Sequence, residues 1–159
     1  MKHTLSVLVN NNPGVLRKIA GLFSRRGYNI DSLVVSETHE PKISRMTICV
    51  HGDDEIVEQV MKQLDKLVDV LSIDDVSNKS AVNKQLLLVK VKADITTRVD
   101  IILLMNVFRA KIIHTGLDQL IIEATGENSK IDAIIETLKP FGIIELAKTG
   151  VVSMLREND

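Results

Sequence analysis

The sequence predicts an α+β fold built from two ferredoxin-like βαββαβ domains, each an antiparallel sheet with two helices on one face. Three observations predict it. Over residues 3–76 the hydrophobic period switches between that of a strand and that of a helix, in the order strand, helix, strand, strand, helix, strand. A polar stretch poor in large apolar groups, "SNKSAVNK", follows. The same order of periods then starts again over residues 85–150, with no strong residue identity between the halves. The chain is read as a first domain over 1–77, a linker over 78–84 and a second domain over 85–159.

Residues 3–10 alternate around Leu5, Val7 and Val9, with Leu8 on the other face, and read as a strand buried mainly on one side. Residues 13–25 read as a helix whose apolar face carries Val15, Leu16, Ile19, Ala20, Leu22 and Phe23. Pro13 suits the first helical position, where its missing N–H costs nothing, and Asn12 is a suitable N-cap. Arg25 and Arg26 favour the last turn, and Gly27 can adopt the left-handed stop. "YNIDSLVVSET" (28–38) is the second strand, "HEPK" a turn and "ISRMTICVH" (43–51) the third strand. Asp53 or Asp54 caps a second helix with Ile56, Val57, Val60, Met61, Leu64 and Leu67 as its buried stripe, and "DVLSIDDV" (69–76) is the fourth strand.

In the second half, "QLLLVKVKA" (85–93) is a strand and 96–109 a helix, with Thr96 as its cap. "AKIIHTG" and "DQLIIEATG" are strands joined near Gly116. Residues 128–139 form a helix with Ile131, Ile134, Ile135 and Leu138 on one face, and "GIIELAKTG" (142–150) is the last strand. Right-handed crossovers in such a unit give the spatial strand order 4-1-3-2, which leaves strand two at an edge.

Composition excludes several classes of function. Hydrophobic residues make up 45% of the 159-residue chain, enough for a sizeable core, yet aromatics are only 3%, so that core is aliphatic. Twenty basic against 21 acidic residues leave no positive field for nucleic acid. The third strand carries no aromatic side chain on which RNA bases would stack. One Cys allows no internal disulfide and fits a reducing compartment. "MKHTLSVLV" lacks the pattern of a secretory leader, and no apolar run approaches a membrane span, so the expectation is a cytoplasmic protein with no membrane partner. His3, His39, His51 and His114 are scattered without metal-ligand spacing, Cys49 reads as a structural thiol, and no nucleophile elbow or phosphate loop is present. Neither a catalytic residue nor a metal site is expected.

The loop "NNNPG" (10–14) is the candidate site, and two readings of it stay open. One is a capped helix start with turn-forming asparagines. The other is a site for the backbone end of a free amino acid. Free N–H groups at a helix start attract a carboxylate, Asn11 both donates and accepts, and a glycine at position 14 lets a ligand approach the backbone. The second strand bears on this choice. It is apolar, free of Pro and at an edge, which is a hazard unless it pairs. Pairing with its own copy across a two-fold axis would bring Asn29 of one chain beside the Asn11–Gly14 loop of the other, so a ligand there would be shared between two subunits.

The stretches "NNPGVL", "GLFSRRGYNIDSL", "SRMTI" and "QLDKLVDV" together resemble the N-terminal ACT domain of the regulatory subunits of acetolactate synthase, also called acetohydroxyacid synthase. "LLLVKVKA" and the closing "AKTGVVSMLR" are similar to the C-terminal domain of the same family. Asn11 stands where the general D-x-P-G-x-L loop of ACT domains has an acid, as is usual in this family. The resemblance implies a subunit with no active site and no cofactor of its own. Its partner would be a catalytic large subunit that uses thiamine diphosphate, Mg2+ and FAD. That enzyme condenses two pyruvates, or pyruvate with 2-oxobutyrate, in the first common step of valine, leucine and isoleucine synthesis. The small subunit would raise its activity and confer feedback inhibition by valine. Carried over to this sequence, the effector residues are Asn11, Gly14, Val15, Leu16, Asn29 and Ile30. Pro13 shapes the loop, and Val35 joins Val15, Leu16 and Ile30 around the isopropyl group. The alternative is a stand-alone amino-acid sensor that regulates a different enzyme.

Overall fold

The computed structural model describes residues 1–158. The first half contains β1 (Lys2–Asn10), α1 (Val15–Arg25), β2 (Ile30–Glu37), β3 (Ile43–His51), α2 (Asp54–Asp65) and β4 (Val70–Asp75). Its sheet runs β2-β3-β1-β4 with every neighbouring pair antiparallel, the order expected from the crossover rule. Leu5, Val7 and Val9 face the helices. With Met46 and Ile48 of β3, they pack against Ile19, Leu22 and Phe23 of α1 and Val57, Val60 and Leu64 of α2. Each of these residues is buried, and burial of aliphatic surface is what holds the helices to the sheet.

The second half contains β5 (Ala81–Lys92), α3 (Arg98–Val107), β6 (Lys111–Thr115), β7 (Gln119–Gly126), α4 (Asn128–Leu138), a 3₁₀ turn at Lys139–Phe141 and β8 (Ile143–Lys148). Its strand order, β6-β7-β5-β8, repeats that of the first half. Leu87, Val89 and Val91 face Ile101 and Met105 of α3 and Ile131, Ile134 and Leu138 of α4. A further strand, β9 (Val152–Leu155), pairs with β5.

The chain divides into two compact units, one of residues 1–82 together with those from Gly150 onward, the other of residues 83–149. Within the first unit the closing segment lies against the sheet face opposite the helices. A side chain at Gly150 would meet Val34 Cγ2 at 2.9 Å and Ser32 Cβ at 3.1 Å. That cover explains why Ser6, Thr47 and Cys49, all on this outer face, are buried.

Several element boundaries differ from the periodicity reading, each for a local reason. α1 starts at Val15, so Pro13 lies outside the helix; Gly14 is its N-cap residue, and Asn12 makes no side-chain cap bond. β2 begins two residues late because Gly27 (φ +70°) and Tyr28 close α1. Gly27 N–H donates to Ser24 O at 3.1 Å and Tyr28 N–H to Phe23 O at 3.0 Å, a Schellman stop. α3 begins at Arg98 rather than 96, and its start is held not by Thr96 but by Asp94, whose Oδ1 accepts the N–H groups of Thr96 (2.8 Å) and Thr97 (3.0 Å). Of the polar stretch 78–84, residues 81–84 already belong to β5; the last expected strand, 142–150, is β8, and β9 is a further strand beyond it that the periodicity did not mark.

Candidate functional site

The loop between β1 and α1 is organised by a residue far away in sequence. Asp69, the residue before β4, receives Asn10 Nδ2 at 3.4 Å and Asn12 Nδ2 at 3.3 Å on Oδ1, and Lys18 Nζ at 3.3 Å on Oδ2. Its backbone O also accepts Asn10 N–H at 2.8 Å. The Lys18 ammonium, followed by the Asn12 amide, holds the Asp69 carboxyl below its ordinary value. Two of the three asparagines therefore anchor the loop, and neither caps the helix. No local pattern marks Asp69 as their partner.

Asn11 points the other way. Its Nδ2 donates to Pro41 O at 2.9 Å and to Glu37 Oε1 at 3.2 Å, while its backbone N–H donates to Lys42 O at 2.8 Å. Asn11 thus ties the loop to the β2–β3 hairpin. Glu37, at the end of β2, is a second residue the sequence reading did not single out.

Gly14 has φ +86°, in the left-handed region that side chains rarely adopt. A glycine here serves the chain's change of direction, not a helix interior. Nothing lies within 4 Å of where its Cβ would sit, so the space beside it is open. Val15 N–H reaches Asn12 O at 3.4 Å and Lys18 N–H takes Gly14 O at 3.1 Å. Among the described residues, the N–H groups of Gly14, Leu16 and Arg17 have no acceptor. Three free donors at the positive end of a helix form an arrangement that attracts a carboxylate.

Within one chain the predicted residues form two groups. Asn11, Pro13, Gly14, Val15 and Leu16 surround the loop, with Val35 near the same end of the sheet. Val15 is 4% exposed and belongs to the core, whereas Leu16 is 47% and Val35 42% exposed. Asn29 and Ile30 sit at the opposite end of β2, an eight-residue strand that spans about 25 Å. The registers agree: Ile30 pairs with Val50 and Glu37 with Ser44, while Asn10 pairs with Ile43. Among the described residues no set of three or more His, Cys, Asp or Glu is placed to hold a metal, and no helix is long and apolar enough to cross a membrane.

Comparison with known proteins agrees with this architecture. Residues 5–72 match the family described as the AHAS small subunit-like ACT domain, and residues 84–157 match that described as the small subunit of acetolactate synthase. The chain is 49% identical over 158 residues to a probable acetolactate synthase small subunit of Archaeoglobus fulgidus, covering 99% of each. It is 49% identical over 154 residues to the acetolactate synthase small subunit of Mycolicibacterium smegmatis, covering 97% of this chain and 91% of the relative. The crystal structure of the acetolactate synthase small subunit from Thermotoga maritima superposes with a TM-score of 0.91 at 42% identity, covering 100% of this chain and 99% of that one.

Proposed function

The chain belongs to the family of acetolactate synthase small subunits, and from that premise we propose that it raises the activity of the catalytic large subunit and makes it sensitive to valine. The chemistry, with thiamine diphosphate, Mg2+ and FAD, belongs to the large subunit, and this chain contributes no reacting group. The effector is held at the start of α1. Its carboxylate takes the free N–H groups of Gly14, Leu16 and Arg17, and its isopropyl group lies against Leu16 and Val35. Asn29 and Ile30 come from the partner of a homodimer joined through β2, the free edge of the first sheet. Valine then alters that interface, and the large subunit, bound in the cytoplasm to the same dimer, responds. The observation that carries the site is the left-handed Gly14 at the head of a helix whose first donors are free and whose flank is open.

The test is reconstitution with the large subunit, assayed with and without valine, using a pair of variants. Gly14→Asn and Gly14→Asp carry similar backbone strain, but only the second adds a negative charge beside the carboxylate. Valine inhibition is expected to survive Gly14→Asn better than Gly14→Asp by at least about tenfold in the valine concentration needed. Equal responses would place the carboxylate elsewhere. Mixing Gly14→Asp chains with Asn29→Ala chains tests the shared site. Mixed dimers should recover one intact site and part of the valine response; no recovery would refute sharing.

A further inference from the structure

We propose that the first unit holds a second small-ligand site, on the sheet face opposite α1 and α2, and that it takes an aliphatic amino acid in its zwitterionic form. A cleft of about 390 Å³ opens there, and all of its lining residues belong to the first unit. Binding sites for small molecules span roughly 300–1,000 Å³, so one small molecule is the matching occupant. Its floor is formed by the cross-strand row Leu8–Arg45–Ser36 and the neighbouring pair Thr47–Val34. Val152 and Met154 of the closing segment form part of the wall, and they stay 46% and 61% exposed although apolar side chains of the sheet line the same space. An apolar cleft that the chain's own side chains leave open suits an aliphatic group.

The polar groups choose the rest of the ligand. Arg45 is half-buried on the floor. Its Nη1 donates to Ser6 Oγ at 2.7 Å, and among the described residues it forms no ion pair. A guanidinium has further N–H donors in a fixed fork matched to a carboxylate, so a carboxylate is the complement this wall lacks. Glu40 and His39 also line the cleft, with His39 Nε2 3.8 Å from Glu40 Oε1. Glu40 offers an ammonium the complement that Arg45 offers a carboxylate. A molecule carrying both a carboxylate and an ammonium pairs with each.

Methyl-resolved NMR of the full chain tests this. It is titrated separately with L-valine, L-leucine, L-isoleucine and 3-methyl-2-oxobutanoate, the last lacking the ammonium. At least one amino acid should produce saturable shifts at the methyls of Val34, Val152 and Met154. These shifts should persist in Gly14→Asp and weaken at least about tenfold in Arg45→Gln, the loss expected for a charge-assisted pair. The oxo acid should bind more weakly. Absence of shifts at these methyls in the unmodified chain would overturn the proposal, and would leave the α1 reading standing if Leu16 and Val35 still moved. Shifts indifferent to Arg45→Gln would also overturn it, as would an oxo acid that binds as tightly as the amino acid.

Discussion

Replacing Gly14 by Ala puts a Cβ on a backbone whose φ is +86°. No atom lies within 4 Å of that Cβ, so the cost contains no clash and consists of backbone strain alone. Left-handed backbone costs a residue with a side chain roughly 1–2 kcal/mol. The smaller entropy of the unfolded Ala chain offsets about 0.4–1 kcal/mol of this. The net expectation is a loss of about 1 kcal/mol, with a smaller loss for Gly14→Asn, because Asn tolerates this region. Had Gly14 occupied the second helical position, as its place after Pro13 predicts, the same change would stabilise the chain by up to about 1 kcal/mol through helix propensity. The sign therefore separates the two placements. Urea unfolding followed by far-UV circular dichroism reads it, since the chain has no Trp and one Tyr. A midpoint that rises in Gly14→Ala, or Gly14→Asn costing more than Gly14→Ala, would refute the left-handed assignment.

Three further outcomes are expected. The depressed Asp69 carboxyl contributes stability that is present above its unfolded value near 4 and lost as pH falls through the lower folded value. Asp69→Asn should flatten the acid limb of a stability–pH profile below about pH 4, and an unchanged slope would remove Asp69 as the loop's anchor. On β5, Leu87 is fully buried while Leu88 is 39% exposed, so Leu87→Ala should cost about 2.7–5 kcal/mol in denaturant unfolding and Leu88→Ala less than half of that. Arg98 Nη2 donates to Ala93 O at 3.1 Å and Leu117 O at 2.9 Å, and also to Gly116 O. Arg98→Lys should lose about 1–3 kcal/mol and speed amide exchange in the β6–β7 loop; unchanged exchange would show that the fork holds nothing there.

What the sequence by itself determined was local in origin. Alternation at Leu5, Val7 and Val9, the helical stripes of α1, α2 and α4, and the glycine stop at Gly27 are properties of a few neighbouring residues, and chain chirality turned their order into the strand order of both sheets. The motif stretches from "NNPGVL" to "AKTGVVSMLR" likewise carried the family. Only the tertiary structure decided how the asparagine loop is held. Asn12 looked like a helix cap because capping is a local motif, but its partner Asp69 lies 57 residues away. Asn11 looked free for a ligand, yet it meets Glu37, 26 residues on. Gly14 reads the same in a helix and in a left-handed turn, and only the path of the chain into α1 gives it φ +86°. The same holds for β9 and the segment at Gly150. Their residues carry no period that names a partner, and it is the buried polar face of the first sheet, Ser6, Thr47 and Cys49, that records what they cover.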